Sequence, residues 1–371
     1  MIGPLRQALD WFRGTGDAAI TLPPMDGAIQ PNQAIEEADL LLSVERPDNL
    51  VAIGGRVLFS SGKTVLALDP RGGADRADIL AGFDSEVACL AGDTQGNLVA
   101  GLDDGTILFA GGPRKGQRLA DPGPKPSCPT ALRLEDASLI VAHGSRQNPP
   151  SGWKRDLMER NASGSVWRID LESGKPTRLA DRLAFPYGLA AGPQGAVAVS
   201  ESWRHQILTL PSPGDRPTVL LDLLPGYPAR LAPATGGGHW LCVFAPRSRL
   251  VEFVLRERGF CADMFREVEA EYWIAPALNS GQSFLEPLQG GAIKQLGILK
   301  PWAPSRSYGL LIRLDAAFQP VTSYHSRADG TRHGVTSCLD WNGRLLVACK
   351  GGNAILSLDP GAGPGEEGGR A

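Results

Sequence analysis

Ionisable and hydrogen-bonding side chains recur in this chain at one kind of place, the ends of short apolar strands. The runs RPDNL, SEVACL, PTAL, VAHG, PYGLA, AVSES, PARL, APRS, GVTSC and VACKG put Asp48, Asn49, Glu86, Thr130, His143, Tyr187, Glu201, Arg230, Arg247, Thr336 and Lys350 at such ends. Trp203 and His205 follow directly in ESWRH. Two imidazoles, three carboxylates and three cationic side chains are the stock from which a general acid–base site is built. Histidine is the most useful member, because its proton equilibrium lies near neutrality. Asp48, His143, Glu201 and Arg230 are the candidate catalytic groups. Asn49, Glu86, Thr130, Tyr187, Trp203, Arg247 and Thr336 are the candidate substrate contacts. Plainer readings stand beside these: Glu201, Arg204 and His205 as a solvated corner, and Trp203 as packing. No G-x-S-x-G elbow, phosphate loop or H-E-x-x-H occurs, and TGGGH at 235–239 reads as a strand-connecting turn.

The elements that must position these groups repeat about every forty residues. Copies begin at Arg46, Ser85, Ser127, Phe185, Tyr227 and His333, each an apolar strand, a Gly-containing turn, a second strand, a loop and a third strand. The fifth copy reads through RSRLVEFVL as its third strand. Six such units predict an all-β, six-bladed β-propeller over residues 37–360, since one blade cannot bury both faces of its own sheet. The last copy ends at AILSLDP without an outer strand, whereas EADLLLSV at 37–44 is a strand without a blade. The N-terminal strand is therefore expected to complete the sixth blade. Insertions at 144–164 and 256–306, the second helical in ERGFCADMFREVEAEYW, are expected to lie as lids over one mouth of the central channel. Residues 1–36 read as a partly irregular segment and 361–371 as a disordered tail.

Bulk properties narrow the function classes. Of 371 residues, 42% are hydrophobic and 21% charged, enough for a large single core. A net charge of −3 gives no basic footprint for nucleic acid. No apolar run is long enough to span a membrane, and the N-terminus lacks a signal-peptide core, so a cytoplasmic location is the default expectation. The six cysteines, Cys89, Cys128, Cys242, Cys261, Cys338 and Cys349, sit mostly in apolar strands without a CxxC pair and read as buried free thiols.

The segments DLMERNASGSVWRIDLESG, FPYGLAAGPQGAVAVSESWRHQILTL, LPGYPARL and HGVTSCLDWNGRLLVACKGG resemble the strictosidine synthase-like family of six-bladed propellers, related to gluconolactonases and paraoxonases. The likeness runs from about Leu41 to Pro360. It implies a small-molecule site in the axial channel, with calcium in many relatives. There the ion is held by acidic and Asn side chains at the starts of inner strands, where a hard cation finds oxygen ligands from several blades. Asp48 and Asn49 match that pattern. Thr130 and Ala131 stand where relatives carry Asn-Asp, Tyr187 replaces an Asn, and Ala229 and Arg230 replace Asp-Asn. A guanidinium at Arg230 repels a divalent ion, so a family-type calcium site is not expected and Arg230 is read as its substitute, paired with Asp48, or as a salt bridge to a lid. Thr336 stands where the condensing relative has its essential Glu, so strictosidine formation is not expected. Three functions remain. The first is hydrolysis of an ester or lactone in the axial pocket without the full calcium site. The second is a non-catalytic binding or scaffold propeller, and the third a metal-free lyase or cyclase acting on a natural product. A small molecule is the expected ligand, and no cofactor is expected.

Overall fold

The structure is a computed structural model that describes residues 22–68, 77–123, 125, 127–210, 215–283, 285–287, 294–295, 298–299 and 305–361. Six small antiparallel sheets stand in a ring, a six-bladed β-propeller. Their innermost strands are Pro47–Ile53, Val87–Gly92, Pro129–Glu135, Pro186–Ala191, Gly226–Pro233 and Val335–Trp341, and each packs against the next around the axis. Blade 2 has three strands, with Arg118 bridging to Leu108 at its outer edge. The other blades have four strands each.

The sequence folds this way because apolar residues pair off the faces of neighbouring blades. Val141 and Leu139 of blade 3, for example, pack with Val99 and Phe109 of blade 2. Hairpin turns carry the residues their geometry demands. Asn342–Gly343, both with positive φ (51° and 77°), close the blade 6 hairpin, where primed turns favour Asn-Gly. Gly188 is required for another reason: a Cβ there would meet Ala229 O of blade 5 at 2.5 Å.

Ring closure is as the sequence predicts. Asp39–Ser43 pairs antiparallel with Ala354–Leu358 and becomes the outer strand of blade 6. The first and last strands of the propeller are thus hydrogen-bonded to each other, with Arg344 holding Asp39 at 2.8 Å across the seam. One element differs from expectation. Arg249–Val254 is a helix, not the third strand of blade 5; that strand is Leu310–Leu314. The run RLVEFV is apolar enough for either, but Ser248 caps it by accepting Val251 N–H at 3.2 Å, and Val251 and Val254 bury on one helical face. The long insertion therefore begins before residue 256, and its helix Arg258–Glu267 falls within the helical run read from sequence. Both insertions leave their blades between second and third strands, so they emerge on the same face. The expected disordered tail at 361–371 lies, past Gly361, outside the described residues.

Candidate functional site

In every blade the pairing of the innermost strand slips by a residue or more at one height. The register passes over Asn49 and Leu50 in blade 1, Ala88 in blade 2, Thr130 in blade 3 and Tyr187 in blade 4. It passes over Ala229 and Arg230 in blade 5 and Thr336 in blade 6. A bulge frees a residue from the ladder and re-aims it, and here six bulges aim at one axis.

What converges there is an ion cluster. Arg230 donates from Nη1 to Asp48 Oδ1 at 2.8 Å and from Nη2 to Ala88 O at 2.7 Å. It also reaches Thr336 O and Thr130 O, each at 3.5 Å, and its guanidinium lies 4.8 Å from the centre of the Tyr187 ring. One side chain of blade 5 thus touches all five other blades. Lys350 Nζ donates to Asp48 Oδ2 at 2.9 Å, and Thr336 Oγ1 donates to Oδ1 at 2.9 Å. Asp48 is 1% exposed. Burial alone would raise its pKa, but the charges of Arg230 and Lys350 and the hydrogen bonds from Lys350 and Thr336 outweigh it and hold the carboxyl below its ordinary value. Burial likewise works against the charges of Arg230 and Lys350, and Asp48 reverses it, so both pKa values rise. Two cations on one carboxylate leave one net positive charge in a low-dielectric channel.

This cluster divides the channel. Above it is a cavity of about 60 Å³ whose wall includes Lys350, Thr130, Ala88, Glu86, Arg46 and Asp103. Trp153, Phe185, Tyr187, Trp203 and Phe244 make its aromatic side. Trp203 stacks on Phe185 with ring centres 4.4 Å apart. Below is a wider space of about 450 Å³, lined mainly by aliphatic inner-strand residues and by Arg230 and Asn49.

Trp203 is held from the first insertion. Its Nε1–H donates to Asp156 Oδ2 at 2.9 Å, and Asp156, fully buried, also accepts from Ser145, Asn148 and Asn161. Asp156 ties the insertion helix Trp153–Met158 to the aromatic wall, which is how Trp153 reaches the cavity.

The residues read from sequence thus separate into groups. Asp48, Arg230, Thr130, Thr336 and Tyr187 meet at the axis, with Glu86 and Trp203 in the wall above. Asn49 faces the lower space, on the other side of the ion cluster from the mouth; its amide donates to Ser60 Oγ at 2.8 Å. His143, Glu201 and Arg247 do not line the axial cavity. His143 is fully buried, with Nε2 3.0 Å from Asp121 Oδ1, though outside hydrogen-bond geometry, and Nδ1 3.4 Å from Ser127 Oγ. Burial would raise Asp121, but the His143 and Ser127 interactions hold it well below the carboxylate range. The trio pins the loop that follows three-stranded blade 2. Glu201 accepts from Ala184 N–H at 2.6 Å, Arg204 at 2.5 Å and Gln206 at 2.5 Å, a buried clamp on the blade 4 corner. Arg247 donates to Glu252 at 3.0 Å beside His205.

Asp156, Trp153, Phe244 and Leu278 were not legible as site residues. The insertion at 144–164 was expected as a lid, but no pattern marked Asp156 as its anchor.

The donor set does not fit a calcium ion. Both Asp48 oxygens are engaged by Arg230, Thr336 and Lys350, and no group of three or more carboxylate, His or Cys side chains that could hold a metal occurs among the described residues. No helix among those residues is long and apolar enough to cross a membrane.

No family model matches the chain, and no curated protein matches it either. Solved structures do. A structural-genomics target described as a candidate gluconolactonase superposes with a TM-score of 0.53 at 13% identity, over 90% of this chain and 96% of its own. A gluconolactonase from Xanthomonas campestris does so at 0.50 and 15%, over 88% of each chain. The likeness shows the six-bladed fold, which both of these structures share with this chain. It does not single out the strictosidine synthase-like branch.

Proposed function

We propose that this propeller takes a small ester or lactone into its axial pocket and hydrolyses it without calcium. One observation carries the reading: two part-buried cations share a single buried carboxylate at the floor of an aromatic-walled cavity. The uncompensated positive charge sits where a carbonyl oxygen entering the channel would end. Lys350 lines the cavity and has protons beyond the one given to Asp48, so its ammonium is the group that would touch that oxygen. Arg230, behind it, adds field without contact. Fixed positive charge in a water-poor site stabilises the oxyanion as it develops.

Glu86, in the same wall with one oxygen 3.3 Å from Arg46 Nη1 and the other open, would take a proton from the attacking water. The water oxygen bonds to the carbonyl carbon, the acyl C–O bond breaks, and the leaving alkoxide receives the proton from Glu86. A cavity of about 60 Å³ holds an acyl head the size of roughly two waters. The remainder of the substrate lies against Tyr187, Trp203 and Phe244 toward the mouth. The gluconolactonase-type neighbours share this fold, which makes the substrate class a natural first choice.

A binding propeller without chemistry is the second reading. Its support is that Asp48, the buried carboxylate of the floor, has both oxygens occupied by donors and is not free to act as a base. A pH-stat survey of aryl esters and five- and six-membered lactones in the presence of a chelator separates the two. Chelator-resistant turnover that falls on the order of 100-fold or more in kcat for Lys350→Met is expected. Binding of the same compounds without turnover would replace hydrolysis by the binding reading.

A further inference from the structure

A second constellation lies beside the axial mouth, where the long insertion returns over blade 6. Leu278 lines the axial cavity, and the Asn279 amide nitrogen lies 3.1 Å from where a Cβ on Gly351, the neighbour of Lys350, would be. Ser280 comes next. Its Oγ is 2.6 Å from Ser307 Oγ, which is 2.7 Å from His333 Nδ1, and His333 Nε2 is 2.6 Å from Arg327 O.

Elementary donor accounting fixes every proton in this chain. A carbonyl oxygen only accepts, so the proton of His333 is on Nε2 and its Nδ1 carries a lone pair. Ser307 must then donate to Nδ1, which leaves a Ser307 lone pair facing the hydroxyl of Ser280. The relay runs from Ser280 to Ser307 to His333, with its inner members buried and Ser280 half-buried. Burial lowers the His333 pKa, which keeps the ring neutral and able to take a proton.

Immediately after Ser280, three successive backbone N–H groups converge on one anion. Gly281 and Gln282 donate to the Glu286 carboxylate at 2.9 Å each, and Ser283 at 3.2 Å. Arg306, itself 5% exposed, stands 3.5 Å from the same carboxylate. Successive amides that already hold a carboxylate oxygen can hold an oxyanion.

We propose that Ser280 is a nucleophile for acyl transfer from small carboxylic esters, with Ser307 and His333 as its proton relay and the Gly281–Ser283 amides as oxyanion donors. The site is separate from the axial floor and needs neither Lys350 nor Arg230. Ser280 Oγ bonds to the ester carbonyl carbon while its proton moves to Ser307 and that of Ser307 moves to His333 Nδ1. The acyl C–O bond then breaks, and the leaving alkoxide recovers the proton through the same relay. Water hydrolyses the acyl-serine, releasing the carboxylic acid and restoring Ser280. Glu286 occupies the amides at rest and must vacate them, and Arg306 offers its carboxylate another partner.

The test uses the full chain and a fluorophosphonate probe, which phosphonylates an activated serine with loss of fluoride, followed by peptide mass mapping. Expected are an adduct at Ser280, its loss in Ser280→Ala, a labelling rate lowered on the order of 100-fold in Ser307→Ala, and faster labelling in Glu286→Gln. Because the readout is a covalent adduct, it is independent of turnover in the axial pocket. Absence of an adduct at Ser280 in protein with native circular dichroism would overturn the proposal. So would wild-type labelling in Ser307→Ala, since the relay would then do nothing.

Discussion

Neutralising Asp48 is the sharpest perturbation of the ion cluster. Asp48→Asn leaves Arg230 and Lys350, with side chains 12% and 19% exposed, facing each other without their shared anion. Breaking a buried pair by removing one partner costs about 3–5 kcal/mol. With an unfolding entropy near 2.1 cal/mol/K per residue, a chain of 371 residues has about 780 cal/mol/K in all, so the midpoint should fall by about 4–6 °C. Lys350→Met is the control, because it leaves the Asp48–Arg230 bond of 2.8 Å intact and a neutral cluster; a loss of about 1–2 °C is expected for it. Thermal melts followed by circular dichroism at pH 7 compare the two. They should be repeated in 1 M salt, where a deficit of buried origin persists while surface effects are screened. An Asp48→Asn protein melting within a degree of wild type, or above Lys350→Met, would refute the view that one buried carboxylate compensates two part-buried cations.

Two further outcomes follow from the surroundings of the site. Burial would raise the pKa of Glu252, but His205 and Arg247 hold its carboxyl at about 2, so the stability it contributes is present above its unfolded value of 4.5 and is lost as pH falls from there toward 2. Acid titration of Glu252→Gln should lack that part of the decline, and an unchanged acid limb would contradict the assignment. Asp156→Ala strands the donors of Ser145, Asn148, Asn161 and Trp203; limited proteolysis should then cut within 144–163 while the propeller core stays resistant. Protection equal to wild type would show that Asp156 is not the anchor of the insertion.

The propeller was legible because its signals are local. Alternating apolar strands, Gly-containing turns and the unpaired strand at 37–44 all report on neighbours in sequence or on a missing partner. The Asp48–Arg230 pair was legible for a different reason, since a cation at an expected calcium-ligand position asks for a nearby anion. The full cluster was harder to see, because Ala88 and Thr130 contribute backbone oxygens that carry no side-chain signature. His143 and Glu201 have the chemistry of catalytic groups, yet their neighbours Asp121, Ala184 and Gln206 are fixed by how loops close around a blade corner. Asp156 illustrates the same limit, as its four donors come together only when the insertion docks. The helix Arg249–Val254 misled in the other direction, because six residues of mixed apolar character fit either periodicity until Ser248 caps them.

Arg230 and Lys350 together occupy the Asp48 carboxylate on the axis and leave no oxygen set there for calcium. Isothermal titration of calcium into the chelator-treated protein tests this most directly. With both Asp48 oxygens engaged and a guanidinium on the axis, no binding heat is expected at micromolar calcium. Micromolar affinity, abolished in Asp48→Asn, would contradict it.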